Sequence, residues 1–138
     1  MNKTYELNPF GGIGIISFGM NRQQCRSVLK STFRTFKRNE FANNLTDYFP
    51  DLKLFIEFDK DDNCHGIELI SYSHLVYKGK NLFDLSFFEI VKYYSLISTK
   101  LEIEDGVSVT FFDLGFGASK AFENDSLETI TVFSKKYW

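Results

Sequence analysis

The chain has 138 residues, 43% hydrophobic and 25% charged, which excludes a wholly disordered protein and suits one domain whose core needs no staples. A net charge of −2 excludes strong attraction of the whole molecule to nucleic acid, and two cysteines are too few for a disulfide framework, so Cys25 and Cys64 are expected to be free thiols. The 16 Phe and 7 Tyr are more aromatic surface than a two-layer domain buries, which leaves some of it to face a partner.

In chain order, the opening MNKTYELNPFGG lacks the apolar stretch of a signal peptide, and no later run reaches the roughly eighteen apolar residues of a membrane helix. A cytoplasmic location with no membrane partner is expected. Gly12 to Phe18 is apolar, β-branched and bounded by glycines, which predicts a short buried strand. A helix follows, with Asn21 as N-cap, Gln24 completing a capping box, and Met20 and Cys25 at the staple positions. Cys25, Val28 and Leu29 form its apolar stripe. Arg22, Arg26 and Lys30, spaced by four, make a row of cations expected on a solvated face.

Phe33 to Phe36 predicts a strand, and Arg38 to Pro50, polar with three Asn, reads as a loop. Lys53 to Phe58 alternates, with Leu54, Ile56 and Phe58 on one side and Lys53, Phe55 and Glu57 on the other. Asp59 to Asn63 is a turn, and Cys64 to Ile70 returns as the second arm of a hairpin. His74 to Lys78 is a further strand. The second helix opens with a capping box of Ser86 and Glu89, carries Leu85 and Ile90 at the staple positions, and shows an apolar stripe of Phe87, Ile90, Val91 and Tyr94. It runs to about Ser98. Val107 to Phe112, Leu114 to Ala118 and Thr129 to Ser134 are the remaining strands.

The halves repeat one order of signals: a capped helix, strands, an acidic or Asn-containing turn and a closing strand. This predicts an α+β fold of two α-β-β-β repeats, about 12–78 and 79–138, within one domain spanning 1–138. The repeats share one antiparallel sheet with two helices packed on one face. If Leu54, Ile56, Ile67, Leu69, Val109, Phe111, Ile130 and Val132 face the helices, then Phe55, Glu57, Glu68, Ile70, Thr110, Phe112, Thr131 and Phe133 face away. Aromatics mixed with acids and threonines are the composition of a binding surface. The candidate partner-binding residues are therefore Phe55, Glu57, Glu68, Phe112 and Phe133, with Asp59, Asp61 and Asp62 from the adjoining turn. The alternative is that loops or a dimer partner cover this face.

No spacing selects a nucleophile, base and orienting group, so no enzyme is expected. Cys64 and His65 are adjacent in a strand and project to opposite faces, which spoils them as joint metal ligands. Asp59, Asp61, Asn63 and Glu68 match part of a calcium loop but lack its glycine and its final glutamate in register. Gly11-Gly12-x-Gly14 and Gly115-x-Gly117 lack the setting of a phosphate loop. No metal and no cofactor are expected.

The stretch Gly14-x-Ile16-x-Phe18-Gly19-Met20-Asn21-Arg22-x-x-Cys25 resembles the G-x-I-x-F-G-M-S-R-E-E-V opening of small bacterial proteins of toxin–immunity loci. Ile130-x-Val132-Phe133-x-Lys135-x-Tyr137 resembles their ending. Together the two stretches cover under a third of the chain, and Asn21 and Cys25 stand where that pattern has Ser and Val. The tandem layout is also similar to β-lactamase inhibitor protein and to outer-membrane-assembly lipoproteins of the BamE kind, although no lipoprotein cysteine follows a signal sequence here. The resemblance implies an immunity protein, monomer or homodimer, that neutralises a cognate toxin by occluding its active site or an essential surface. Were that toxin a nuclease, its phosphate-binding cations would attract Glu57, Asp59, Asp61, Asp62 and Glu68. The competing reading is a small-ligand module that holds a nucleotide-like molecule with Arg22, Arg26, Lys30 and Arg34. A structural adaptor is the third.

Overall fold

Two capping boxes and a set of alternating strands organise the chain. In the computed structural model, which describes residues 3–138, the elements in order are β1 (Thr4–Asn8), β2 (Gly12–Ile13), β3 (Ile16–Ser17), α1 (Arg22–Leu29), β4 (Arg34–Phe36), β5 (Thr46–Phe49), β6 (Leu54–Phe58), β7 (Cys64–Ile70), β8 (His74–Tyr77), β9 (Lys80–Asn81), α2 (Phe87–Ser95), β10 (Leu101–Glu104), β11 (Ser108–Phe111), β12 (Phe116–Lys120) and β13 (Leu127–Phe133). The first two residues of the segment expected to lack a leader lie outside the described residues.

Both capping boxes form as their residue types dictate. The Asn21 side chain accepts from the Gln24 N–H while the Gln24 side chain accepts from the Asn21 N–H, and Ser86 and Glu89 repeat the exchange on α2. Each box satisfies two of the donors that a helix leaves unpaired at its start. Lys30, in the left-handed conformation, ends α1.

The fold is α+β and mostly sheet, but it has two sheets where one was expected. Eight antiparallel strands lie in the order β10-β11-β12-β13-β7-β6-β5-β4, and five short ones in the order β3-β2-β1-β8-β9. The smaller sheet is mixed, because β1 and β8 run parallel with Tyr5 opposite Leu75. Three corrections follow. Gly12–Phe18 is two short strands of the smaller sheet, turned by Gly14 at φ +46°, and not one buried strand. The predicted loop from Arg38 to Pro50 contains β5, and each half of the large sheet has four strands, because β5 and β10 were missed.

The register of the large sheet follows the alternation in the sequence. Leu54, Ile56, Ile67, Leu69, Val109, Phe111, Ile130 and Val132 are all buried on one face and join one hydrophobic core. The residues α1 and α2 bury in that core are Cys25, Leu29, Phe87, Ile90 and Tyr94, and the Tyr94 ring meets Phe111 and Phe116 edge-on at 6.1 and 5.5 Å. Tyr5, Leu7, Ile13, Ile16, Leu75 and Tyr77 of the smaller sheet complete it. Among the described residues no helix is long and apolar enough to cross a membrane.

Candidate functional site

The cation row of α1 does not face solvent. Arg22 is buried, and its guanidinium meets the carboxylate of Asp47 at 2.9 Å and that of Asp62 at 2.9 Å while lying 4.1 Å over the Phe58 ring. Arg26, one turn on, closes on Asp47 at 2.8 Å, and Thr35 donates its hydroxyl to the same carboxylate. Asp47 is fully buried, so these partners replace the water it gave up. The Arg22 guanidinium, with the Asn44 amide, holds the Asp62 carboxyl below its usual range. The spacing of four that predicted a solvated row therefore marks two arginines turned onto a buried acid, and only Lys30 of the row stays exposed.

On the face of the large sheet opposite the core, the first half carries aromatics and charges. Phe55 stacks on Tyr48 at 4.3 Å and meets Phe36 edge-on, with the Arg38 guanidinium 4.5 Å above its ring. Arg38 also donates to Glu68 at 2.6 Å, so that carboxylate already has a counter-ion. The second half is different: Ser108 lies opposite Ser119, Thr110 opposite Gly117, and Thr129 and Thr131 continue a hydroxyl-lined floor.

The C-terminal residues fold back across the middle of this face. The Tyr137 ring lies over Gly66, where any side chain would collide with it, and stacks on Phe133 at 5.8 Å. Its hydroxyl donates to Glu57 at 2.9 Å, and burial together with that carboxylate pushes the phenol well up from its ordinary value. Trp138 packs edge-on against Phe112 and Phe133, each at 5.5 Å. Phe133 is consequently 1% exposed, which corrects its expected place on an open face: the chain's own tail covers it. Phe112 stays half-buried beneath Trp138.

Between this tail, the loop near Asn39–Asn44 and the β6–β7 turn lies a cleft of about 780 Å³. Glu57, Asp59 and Asp61 line it, together with Arg38, Lys60, His65 and Lys136. Two aromatics stand exposed on its wall, Phe41 at 84% and Trp138 at 70%. Asp59 uses one carboxylate oxygen to accept from the Asp61 and Asn63 N–H groups, which fixes the turn, and among the described residues the Asp61 carboxylate is in no ion pair.

The structure thus gathers Glu57, Asp59 and Asp61 into one cleft, engages Asp62 and Glu68 in internal ion pairs, packs Phe55 into an aromatic group beside it, and places Phe112 and Phe133 under the tail. Phe41, Arg38 and Trp138 were missed as site residues. Phe41 and Arg38 sit in a polar stretch with no periodicity to reveal them, and the return of the tail is a long-range contact that no local pattern encodes. A second hollow, of about 550 Å³ and lined by Tyr72, His74, Asn81, Asp84 and Glu128, holds none of the expected residues. Among the described residues no group of three or more His, Cys, Asp or Glu side chains is arranged to hold a metal ion.

No protein-family model, curated protein or solved structure matches the chain.

Proposed function

We propose that the chain is a binding protein that neutralises a partner protein, as an immunity protein does its cognate toxin, that it acts in the cytoplasm, and that it catalyses nothing itself. The observation that carries this reading is the cleft, with two large aromatics standing exposed at its wall and carboxylates beside them. Exposed aromatics on a fixed frame are the side chains that most often dominate binding energy, and the charges around them steer encounter. The resemblance of the Gly14–Cys25 and Ile130–Tyr137 stretches to immunity proteins supports the same reading. On the same reading the layout is a duplication, each helix preceding four antiparallel strands of the large sheet in chain order. A toxin's cationic surface would meet Asp61 first, because Glu68 and Asp62 are already neutralised within the chain.

The nucleotide-binding alternative loses its two central arginines to Asp47. The test is co-expression with the product of the adjacent gene. Capture of that product, rescue of growth, and loss of both in a Phe41→Ala/Trp138→Ala variant are expected. An adjacent product that neither binds nor harms unprotected cells would overturn the proposal.

A further inference from the structure

The two outer strands of the large sheet carry opposite charge. At one edge β4 presents Arg34, with Lys37 just beyond it and Phe36 exposed. At the other, β10 presents Glu102 and Glu104, with Asp105 just beyond and Ile103 45% exposed. Among the described residues none of these five charged side chains is in an ion pair. The strand order leaves both β4 and β10 with a neighbour on one side only. An open edge is a template for pairing with another strand, and charge is the usual device against it. Here the charge repels like edges but favours unlike ones: β10 against β10, or β4 against β4, sets equal charges opposite each other, while β10 against β4 sets opposite charges together.

Geometry agrees with charge. Eight antiparallel strands make an even number, so β4 and β10 run in opposite directions. A second copy brought alongside in the same orientation therefore meets β4 with β10 antiparallel and keeps the same face outward. The register places Arg34 beside Tyr48 and Glu102 beside Thr110, all on the face away from the core, so the acids and the arginine meet on one side. We propose that the chain associates with a second copy of itself head to tail, the acidic edge β10 of one copy pairing with the basic edge β4 of the next. Such a contact is not self-complementary, so it does not close at a dimer, and its small span makes it weak and sensitive to salt.

Sedimentation velocity tests this at about 0.01 M and about 1 M salt, where charges are screened over about 30 Å and about 3 Å. At low salt the weight-average mass should rise with concentration above the 16.1 kDa of one chain, and at high salt it should return to that value. Glu102→Lys/Glu104→Lys makes both edges basic and Arg34→Glu/Lys37→Glu makes both acidic, so each variant alone should stay monomeric at low salt. All four positions are exposed, and circular dichroism verifies that the fold is retained. An equimolar mixture of the two variants should regain association, because each then offers the other an opposite edge. A wild-type chain that is monomeric under every condition, variants that associate like wild type, or a mixture that stays monomeric would each overturn the proposal.

Discussion

Arg22 and Asp47, 25 positions apart in the chain, meet at 2.9 Å in a place from which water is excluded on the aspartate side. The pair ties the first turn of α1 to β5, and Arg26 and Thr35 bind the same carboxylate. A buried acid with this many donors contributes little net stability compared with an apolar packing, but removing it leaves Arg26 without a carboxylate and Arg22 with that of Asp62 alone.

Asp47→Ala should therefore cost about 3–5 kcal/mol, the range for breaking a buried pair by deleting one partner. Urea unfolding followed by circular dichroism measures it. Asp47→Asn keeps the shape and some hydrogen bonds and should fall between the two. A loss below about 1 kcal/mol for the alanine, the usual worth of a surface pair, would show that the arginines rest comfortably in solvent.

Gly66 is the footing of the C-terminal tail, and a methyl group there collides with the Tyr137 ring. Gly66→Ala should lift the tail, at a cost of about 1–3 kcal/mol for the overpacking if the ring stays. Trp138 is the only tryptophan, so its emission reports the event directly. A shift to longer wavelength is expected, and an unchanged spectrum would mean that the tail does not depend on this contact.

Tyr137 carries a pH dependence whose sign follows from its raised phenol. Below the ordinary tyrosine value of 10.0 the phenol is neutral in both folded and unfolded chains, and its hydrogen bond to Glu57 is intact. Above that value the unfolded chain loses the proton while the folded chain keeps it, so the tail's contribution to stability declines as pH rises through and beyond 10.0. Thermal melts between about pH 8 and pH 11 should fall more steeply for the wild type than for Tyr137→Phe. At the acid end Asp113 acts in the opposite direction. Burial raises its carboxyl, but Ser98 and Thr99 outweigh that and hold it at about 2, so its contribution is lost only as pH falls from the ordinary 3.8 toward about 2.

Cys25 and Cys64 are both free and buried, at 0% and 2% exposure, and a hydrogen bond with Cys25 together with burial pushes the Cys64 thiol up. A thiol in that state is a poor nucleophile. Neither should react with an aromatic disulfide reagent in the native protein, and two equivalents should react in denaturant. Rapid labelling of either in the native state would place it on a mobile surface.

Local signals carried much of this fold. Asn21 with Gln24 and Ser86 with Glu89 announce both helices, and alternation from Leu54 to Phe58 and from Val109 to Phe111 assigns each side chain its face. Thr4 to Asn8 alternates as clearly, with Tyr5 and Leu7 inward, and was open to the same reading. Around Asp47 the local pattern misleads for a physical reason: a strand whose inward residue is a charged acid has the polarity of a loop, and its arginine partners lie on another element. The cleft was half legible. Its carboxylates could be placed by their hairpin, whereas Phe41, Arg38 and Trp138 join it only through tertiary contacts.

The seam between β7 and β13 joins the two halves of the large sheet, with Ile70 opposite Thr129, about 60 positions later in the chain. During synthesis on the ribosome the strand that fills the middle of the sheet is thus made after all the others. Until it emerges β7 has an open side and β12 lacks its neighbour, so the nascent chain carries two unfinished half-sheets. Folding to completion waits on residues 127–133, and chains halted short of them should be substrates for chaperones or proteases.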